Sequence, residues 1–365
     1  MNVSTNALTA FRSLRRGWLH RSLVLTTACL VVTSALQAQY RFYRLTDLGA
    51  PSTSAYGLCE SGATGINNNG DVVGTVNSYY SEYRLAKFTG GQILTYGSLA
   101  RTPSSSGAGL NNPGTTVGWM DTPDGGIHSF SVSNAGVRTD LGATLIDWSE
   151  LFKVNDYDEV IGRVLGPYGQ LYPYYGHTSG WIVDLTTDLG SNFELTDINN
   201  AWEIVGNGPR GGVIYHRLSH AQTYLDTTVG AGNRASAIND RMEVAGTLHG
   251  QAFVYYMGNV ELFGSDVYNV PDINNLGDVV FNHTSMGGYV YQRSNHVVYD
   301  LNASLDYTTG RGWQIAWVAG INDYGVVAAT ARRLPRTGET PHPDGYVYRA
   351  VKLSPYDLPY VYVIP

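Results

Sequence analysis

Cysteine is nearly absent: the 365 residues hold two, Cys29 and Cys59. Cys29 falls in an N-terminal segment that reads as removable, which leaves one thiol, excludes an internal disulfide and makes the core responsible for stability. Long apolar runs are also missing. The one sizeable run, Ser22 to Leu36, has 15 residues, short of the ~20 that a spanning helix needs, and no second one follows. Charge is scarce, at 15% of residues. The signatures of common catalytic machinery are lacking too, with no serine-elbow, zinc-protease or phosphate-loop pattern. Among the histidines beyond that segment (His128, His177, His216, His220, His249, His283, His296 and His342), only His216 and His220 are close in sequence. Their four-residue step suits a helix better than the strand expected there, so no metal and no cofactor is expected.

What is present begins with an address. The first 38 residues carry Arg12, Arg15, Arg16 and Arg21 and no acid, followed by the apolar run and "QAQ". This is the pattern of a secretory signal peptide over residues 1–38, with cleavage expected after Ala38 and a single domain over 39–365. "RRGWL" at Arg15 resembles the twin-arginine export pattern with Leu14 in place of the usual polar residue, so both export routes stay open. A lipoprotein reading at Cys29 is poor, because Thr26 stands where leucine is expected. The mature chain is therefore expected outside the cytoplasm, secreted or periplasmic. It has 19 basic against 30 acidic residues, a net charge of −11. That balance argues against nucleic acid and anionic membranes as partners.

Glycine and tyrosine are abundant, at 43 and 27 residues, as in an all-β chain with many turns. "GINNNGDVVGTV" from Gly65 returns six more times, led by Asn67, Asn111, Asn155, Asn199, Asn239, Asn274 and Asn322, at spacings of 44, 44, 44, 40, 35 and 48 residues. Such a period marks one supersecondary unit copied along the chain. Each copy reads as a hairpin: asparagine caps the turn, and Gly70, Gly114, Gly277 and Gly325 accept positive φ in four of them. Asp158, Trp202 and Met242 replace that glycine elsewhere, and Pro113 suggests a turn shifted by one residue, so the turns are expected to vary in type.

A third, aromatic strand follows each hairpin, from Ala86, His128, Gly180, Val213, Gln251, Gly288 and Gly345. A fourth often ends in Leu-Gly, at Leu94, Thr139, Thr187, Tyr224, Glu261 and Val298. Four short strands in ~43 residues make a propeller blade. Only six fourth strands lie between seven hairpins, and "YRFYRLTDLG" (Tyr40 to Gly49) supplies the seventh from the other end. The expectation is an all-β, seven-bladed β-propeller with four strands per blade, closed by the N-terminal strand completing the last blade. An open β-solenoid, or a ring with a merged blade, is the alternative, with the 35-residue spacing its best point of entry.

"INNNGDVVG", "QAF" and "DLG" together resemble the HAF-repeat proteins, extracellular repeat proteins of bacteria. The resemblance runs from Tyr40 to about Val351. The name-giving triplet is not intact: Gln251, Ala252, Phe253 and His128, Ser129, Phe130 come closest. The resemblance implies location and fold and brings no catalytic residues.

Two chemical readings of the repeat are weak. "DINNLGDVV" looks like a calcium loop, but it offers amides where such loops supply carboxylates. Asp71, Glu159, Glu203, Glu243 and Asp278 follow the turns and would line a channel rim, where converging carboxylates serve glycoside chemistry. A strand start beside a solvated turn needs polar residues in any case. More telling is where copies differ. Long second-to-third-strand connections are expected in blade 3 (Leu165 to Gly180), blade 7 (Ala331 to Gly345) and blade 1 (Asn77 to Tyr83), all on one face, with blades 7 and 1 adjacent. Tyr79, Tyr80, Tyr172, Tyr174 and Tyr175 are candidate stacking surfaces there, with Arg332, Arg333 and His342 as polar contacts. The expected function is a secreted non-catalytic scaffold that binds a protein or glycan through these variable loops. The alternative is an extracellular glycan hydrolase or lyase working in the funnel. Asn282 and Asn302 lie in Asn-x-Ser/Thr sequons.

Overall fold

The computed structural model describes residues 41–51, 60–77, 83–96, 105–123, 125–142, 148–166 and 168–356. The expected signal peptide, Cys59, Tyr79 and Tyr80 lie outside them. The described chain forms seven four-stranded antiparallel sheets arranged as the blades of a β-propeller. Six blades use four consecutive strands. The seventh takes three from the end of the chain, Trp313–Ile321, Val327–Arg333 and Val347–Tyr356, and its outer strand from the beginning, Phe42–Asp47. Phe42–Asp47 pairs antiparallel along its whole length with Val351–Tyr356. Tyr43 and Leu45 are buried in that blade's core, so closure is a packed joint as well as a hydrogen-bonded one.

The repeat phrase builds the inner hairpin of every blade. In all seven turns the asparagine Oδ1 accepts the N–H of the residue four places on, at 2.7 to 3.0 Å. The turns do not vary as expected. Asp158, Trp202 and Met242 take the same left-handed conformation, φ 59°, 62° and 62°, as Gly70, Gly114, Gly277 and Gly325. The Gly114 N–H donates to the Asn111 carbonyl at 3.1 Å, so Pro113 shifts nothing. Capping by asparagine imposes one turn geometry, and the residue in the strained position conforms to it.

The same asparagines tie the blades together. Each Nδ2 donates to the backbone carbonyl of the leading asparagine one blade on, from Asn67 to Asn111 and round to Asn322 to Asn67, at 2.9 to 3.1 Å. Seven bonds close a circle among buried side chains. The 35-residue fifth repeat takes its place in the circle, so no blade is merged.

The glycine ending "VVG" has a separate cause. The first strand of each blade carries a bulge just before its channel-facing residue, as between Ala63 and Gly65 or Leu195 and Asp197. The bulge presses a carbonyl onto the second strand. A Cβ at Gly74 would sit 1.9 Å from the Gly62 carbonyl oxygen, and one at Gly118 2.0 Å from that of Ser106. The core lies between blades: Val73 and Leu85 of blade 1 pack with Met120, Phe130 and Val132 of blade 2.

Blade 3 departs from the sequence expectation. Its third strand is Leu171–His177, and "GWIVD" forms the fourth, Ile182–Asp184. "TTDL", expected in the fourth strand, is a single helical turn, Thr186–Leu189. The long connection foreseen from Leu165 to Gly180 therefore shrinks to residues 166–170. Alternation decides it: Tyr174 points inward to the Ser129 hydroxyl of blade 2, as a strand residue does.

Candidate functional site

Among the described residues, concave regions that present chemistry lie on the channel axis and at the seam between blades 7 and 1. Around the channel mouth, the residues after the leading asparagines form a second circle: Asn68, Asn112, Asp156, Asn200, Asp240, Asn275 and Asp323. Each backbone N–H donates to the side-chain Oδ1 of the next member, at 2.8 to 2.9 Å. Amide and carboxylate alternate, and each asparagine Nδ2 donates to a neighbouring aspartate Oδ2, at 2.8 to 3.2 Å. Strict alternation cannot close on seven members. The unavoidable like pair is two amides, Asn68 and Asn112, which avoids two adjacent carboxylates.

Below this circle the bulged positions are Gly65, Gly109, Lys153, Asp197, Ala237, Asp272 and Gly320, and Gly65, Gly109, Lys153, Asp197 and Asp272 line a cavity of about 170 Å³. Asp197 accepts the N–H groups of Ile198 and Ile238, and Asp272 those of Ile273 and Ile321, all at 2.9 Å. Each carboxylate thus staples its blade to the next. Burial pushes the Asp272 carboxyl up to about 6 against the pull of Lys153, and it raises Asp197 as well. Burial also disfavours the Lys153 ammonium, but the two carboxylates outweigh it and hold its pKa above the ordinary value. Sequence reasoning passed over this trio. Its signal is charge at a position where four other copies carry glycine or alanine.

The five acids after the turns do not gather at the channel. Asp71 lies 3.5 Å from the Lys87 ammonium, Glu159 3.1 Å from the Arg217 guanidinium and Glu203 2.5 Å from the His216 ring. Glu243 accepts from Asn239 Nδ2 at 2.7 Å, and Asp278 from the Arg293 N–H at 2.9 Å. They are spent on partners in their own or the next blade, as the polar-strand-start reading has it, and form no carboxylate rim.

The seam cleft opens on the opposite face, where second and third strands connect, and encloses about 410 Å³. Trp317 and Tyr348 of blade 7 form one wall, stacked at 5.9 Å and 25°. His342 stands edge-on to Tyr348 at 5.5 Å, and Tyr348 Oη donates to Asp344 Oδ2 at 2.6 Å. Blade 1 supplies Tyr83, Glu60 and Asn77. Glu60 and Asn77 are register partners on adjacent strands. Glu60 Oε1 and Asn77 Oδ1 are shut off from solvent without a hydrogen-bond donor. Burial raises the Glu60 pKa, opposed by the fields of His342 and Arg349.

Of the residues singled out from sequence, the structure brings His342 to this cleft. Arg332 lies along the second strand of blade 7, bonded to Gln314 and over the Tyr346 ring at 4.2 Å. Arg333 is buried and clamps Glu339 with two bonds of 2.6 Å. The blade 3 tyrosines sit elsewhere. Tyr172 packs on the Gly166 backbone, Tyr174 is buried, and Tyr175 meets Trp181 edge-on at 5.6 Å and accepts from Arg217 at 3.1 Å. Sequence reasoning missed Trp317, Tyr348, Glu60, Asn77 and Tyr83. Trp317 and Tyr348 are read inside strands, where nothing in a single sequence marks a side chain as facing a cleft.

No known family profile matches the chain, and no curated protein does. Solved structures do match. YCF48 bound to D1 peptide is similar over 87% of this chain and 98% of its own, at 7% identity and a TM-score of 0.53. A chain of the mitotic checkpoint complex is similar over 85% of this chain and 94% of its own, at 9% identity and a TM-score of 0.50. At such identities the likeness is one of propeller fold alone.

Proposed function

We propose that this protein is a secreted, non-catalytic binding scaffold of the HAF-repeat type, and that it takes a protein or glycan partner at the blade 7 and blade 1 seam. The observation that carries this reading is the seam cleft itself: aromatic walls and two acceptors without donors, on the face where second and third strands connect, by a short turn in blade 5 and a long segment in blade 7. The other face is committed to structure, because its asparagine and aspartate side chains hold one another in the two circles. Propellers of similar fold occur with partners, as YCF48 does with a peptide and the checkpoint chain does within a complex. The arginine-rich, acid-free leader supports export.

The test is to immobilise the purified protein and probe it with arrayed glycans and arrayed peptides, then assay retained ligands for cleavage. Retention without turnover, lost when Trp317→Ala and Tyr348→Ala are combined, is expected. Release of shortened oligosaccharide would contradict the scaffold reading and favour a hydrolase or lyase.

A further inference from the structure

We propose that the seam cleft takes a neutral oligosaccharide, with sugar hydroxyls donating to Glu60 and Asn77 while a sugar face lies on Trp317. This rests on the cleft being the binding site argued above.

The first argument is the demand for donors. Glu60 Oε1 and Asn77 Oδ1 lie on neighbouring strands and lack a donor among the described residues. An acceptor buried in that state costs about 1–3 kcal/mol, so a ligand whose donors draw either side chain toward the cleft recovers free energy the apo fold forgoes. Nearby hydroxyls are already engaged: Ser61 Oγ donates to the Gly49 carbonyl at 2.6 Å, and Thr75 Oγ1 shares a bond with Ser106 at 3.1 Å.

Charge then narrows the ligand. Glu60 lies in the fields of His342 and Arg349, opposed by that of Asp344. Glu339 joins Arg333 at 2.6 Å and Arg349 at 3.3 Å, and Arg332 lies 3.9 Å from Asp344. With each acid matched by a base, the cleft has little net field to draw in a cation. A carboxylate ligand would set acceptors against acceptors. A peptide backbone brings a carbonyl for every N–H, and the Glu60 carboxylate can pair with the N–H alone. A hydroxyl rotates to donate where only acceptors are offered.

The walls fit the same class. Trp317 is 42% exposed and Tyr83 49%, and both present flat apolar surface to the cleft. A pyranose ring has an apolar C–H face and a rim of hydroxyls, so it can lie on an indole while its rim reaches acceptors at the side. A volume of about 410 Å³ falls within the ~300–1,000 Å³ of small-ligand sites.

The experiment is an array of neutral hexose and N-acetylhexosamine oligosaccharides, with acidic oligosaccharides and peptides printed beside them. Retention on at least one neutral sugar is expected, with saturable quenching of tryptophan fluorescence by that sugar in solution. Glu60→Gln should weaken it about tenfold, because a hydrogen bond to a charged acceptor becomes one to a neutral carbonyl, and Trp317→Phe should remove most of the quenching signal. Melting curves establish that both variants fold. Retention of peptides alone overturns the sugar assignment and leaves the scaffold reading standing. Silence for sugars and peptides together overturns both. A neutral sugar that binds Glu60→Gln as tightly as the parent protein overturns the assignment of the site.

Discussion

Met242 holds a left-handed backbone conformation, φ 62°, at a position where four of its counterparts are glycine. A side chain there costs roughly 1–2 kcal/mol, part of which glycine would return as greater freedom of the unfolded chain. Met242→Gly is expected to stabilise the fold by about 0.5–1 kcal/mol, read as a raised midpoint in urea unfolding. Trp202 shares the strain but is a poorer site for the same change. Its ring meets Tyr157 at 6.0 Å and lies under the Arg217 guanidinium at 5.5 Å, contacts that would be lost. Local residue chemistry at these turns was legible, since asparagine capping and a positive φ follow from the residue types. What stayed hidden was that the cap is strong enough to hold aspartate, tryptophan and methionine in glycine's conformation.

The inner hairpin does two jobs at once. Its leading asparagine closes its own turn through Oδ1 and grips the next blade through Nδ2, and the residue after it joins the circle of alternating amides and carboxylates. Asn112→Asp would set a carboxylate beside Asp156 and remove the donor that now reaches Asp156 Oδ2 at 2.9 Å. Like charge and a lost bond together predict a destabilisation of about 1–2 kcal/mol near neutral pH. The deficit should shrink as acid protonates the new pair, which denaturation at pH 7 and at pH 4 would separate. A loss of equal size at both pH values would remove the electrostatic explanation.

Blade count, hairpin position and ring closure could all be read from the period, because a repeated unit that cannot bury its own face must stack on copies of itself. Blade 3 shows the limit of that reading. "LYPYYGH" and "GWIVD" are both aromatic and both β-prone, and only packing of Tyr174 against blade 2 decides which is the third strand.

At the scale of the whole molecule, closure makes the propeller a rigid ring with two unlike ends. One end is occupied by its own side chains, with Lys153, Asp197 and Asp272 lining the channel beneath. The other carries the seam where the chain's first and last blades meet. The candidate site lies across that seam, assembled from Glu60, Asn77 and Tyr83 at one end of the chain and Trp317, His342 and Tyr348 at the other. This is why little of it was legible. Repeat analysis finds what copies share, and these residues are what blades 1 and 7 do not share. His342 was found because it lies in an insertion. Trp317 and Glu60 lie in strands and gave no such signal.

The most direct test compares the two ends of the ring. Ligand retention on the arrays would be measured for the parent protein, for Trp317→Ala at the seam, and for Tyr324→Ala, which removes an exposed aromatic from a turn on the asparagine face. The account predicts that Trp317→Ala loses retention while Tyr324→Ala keeps it. Retention that survives at the seam and disappears with Tyr324 would contradict it.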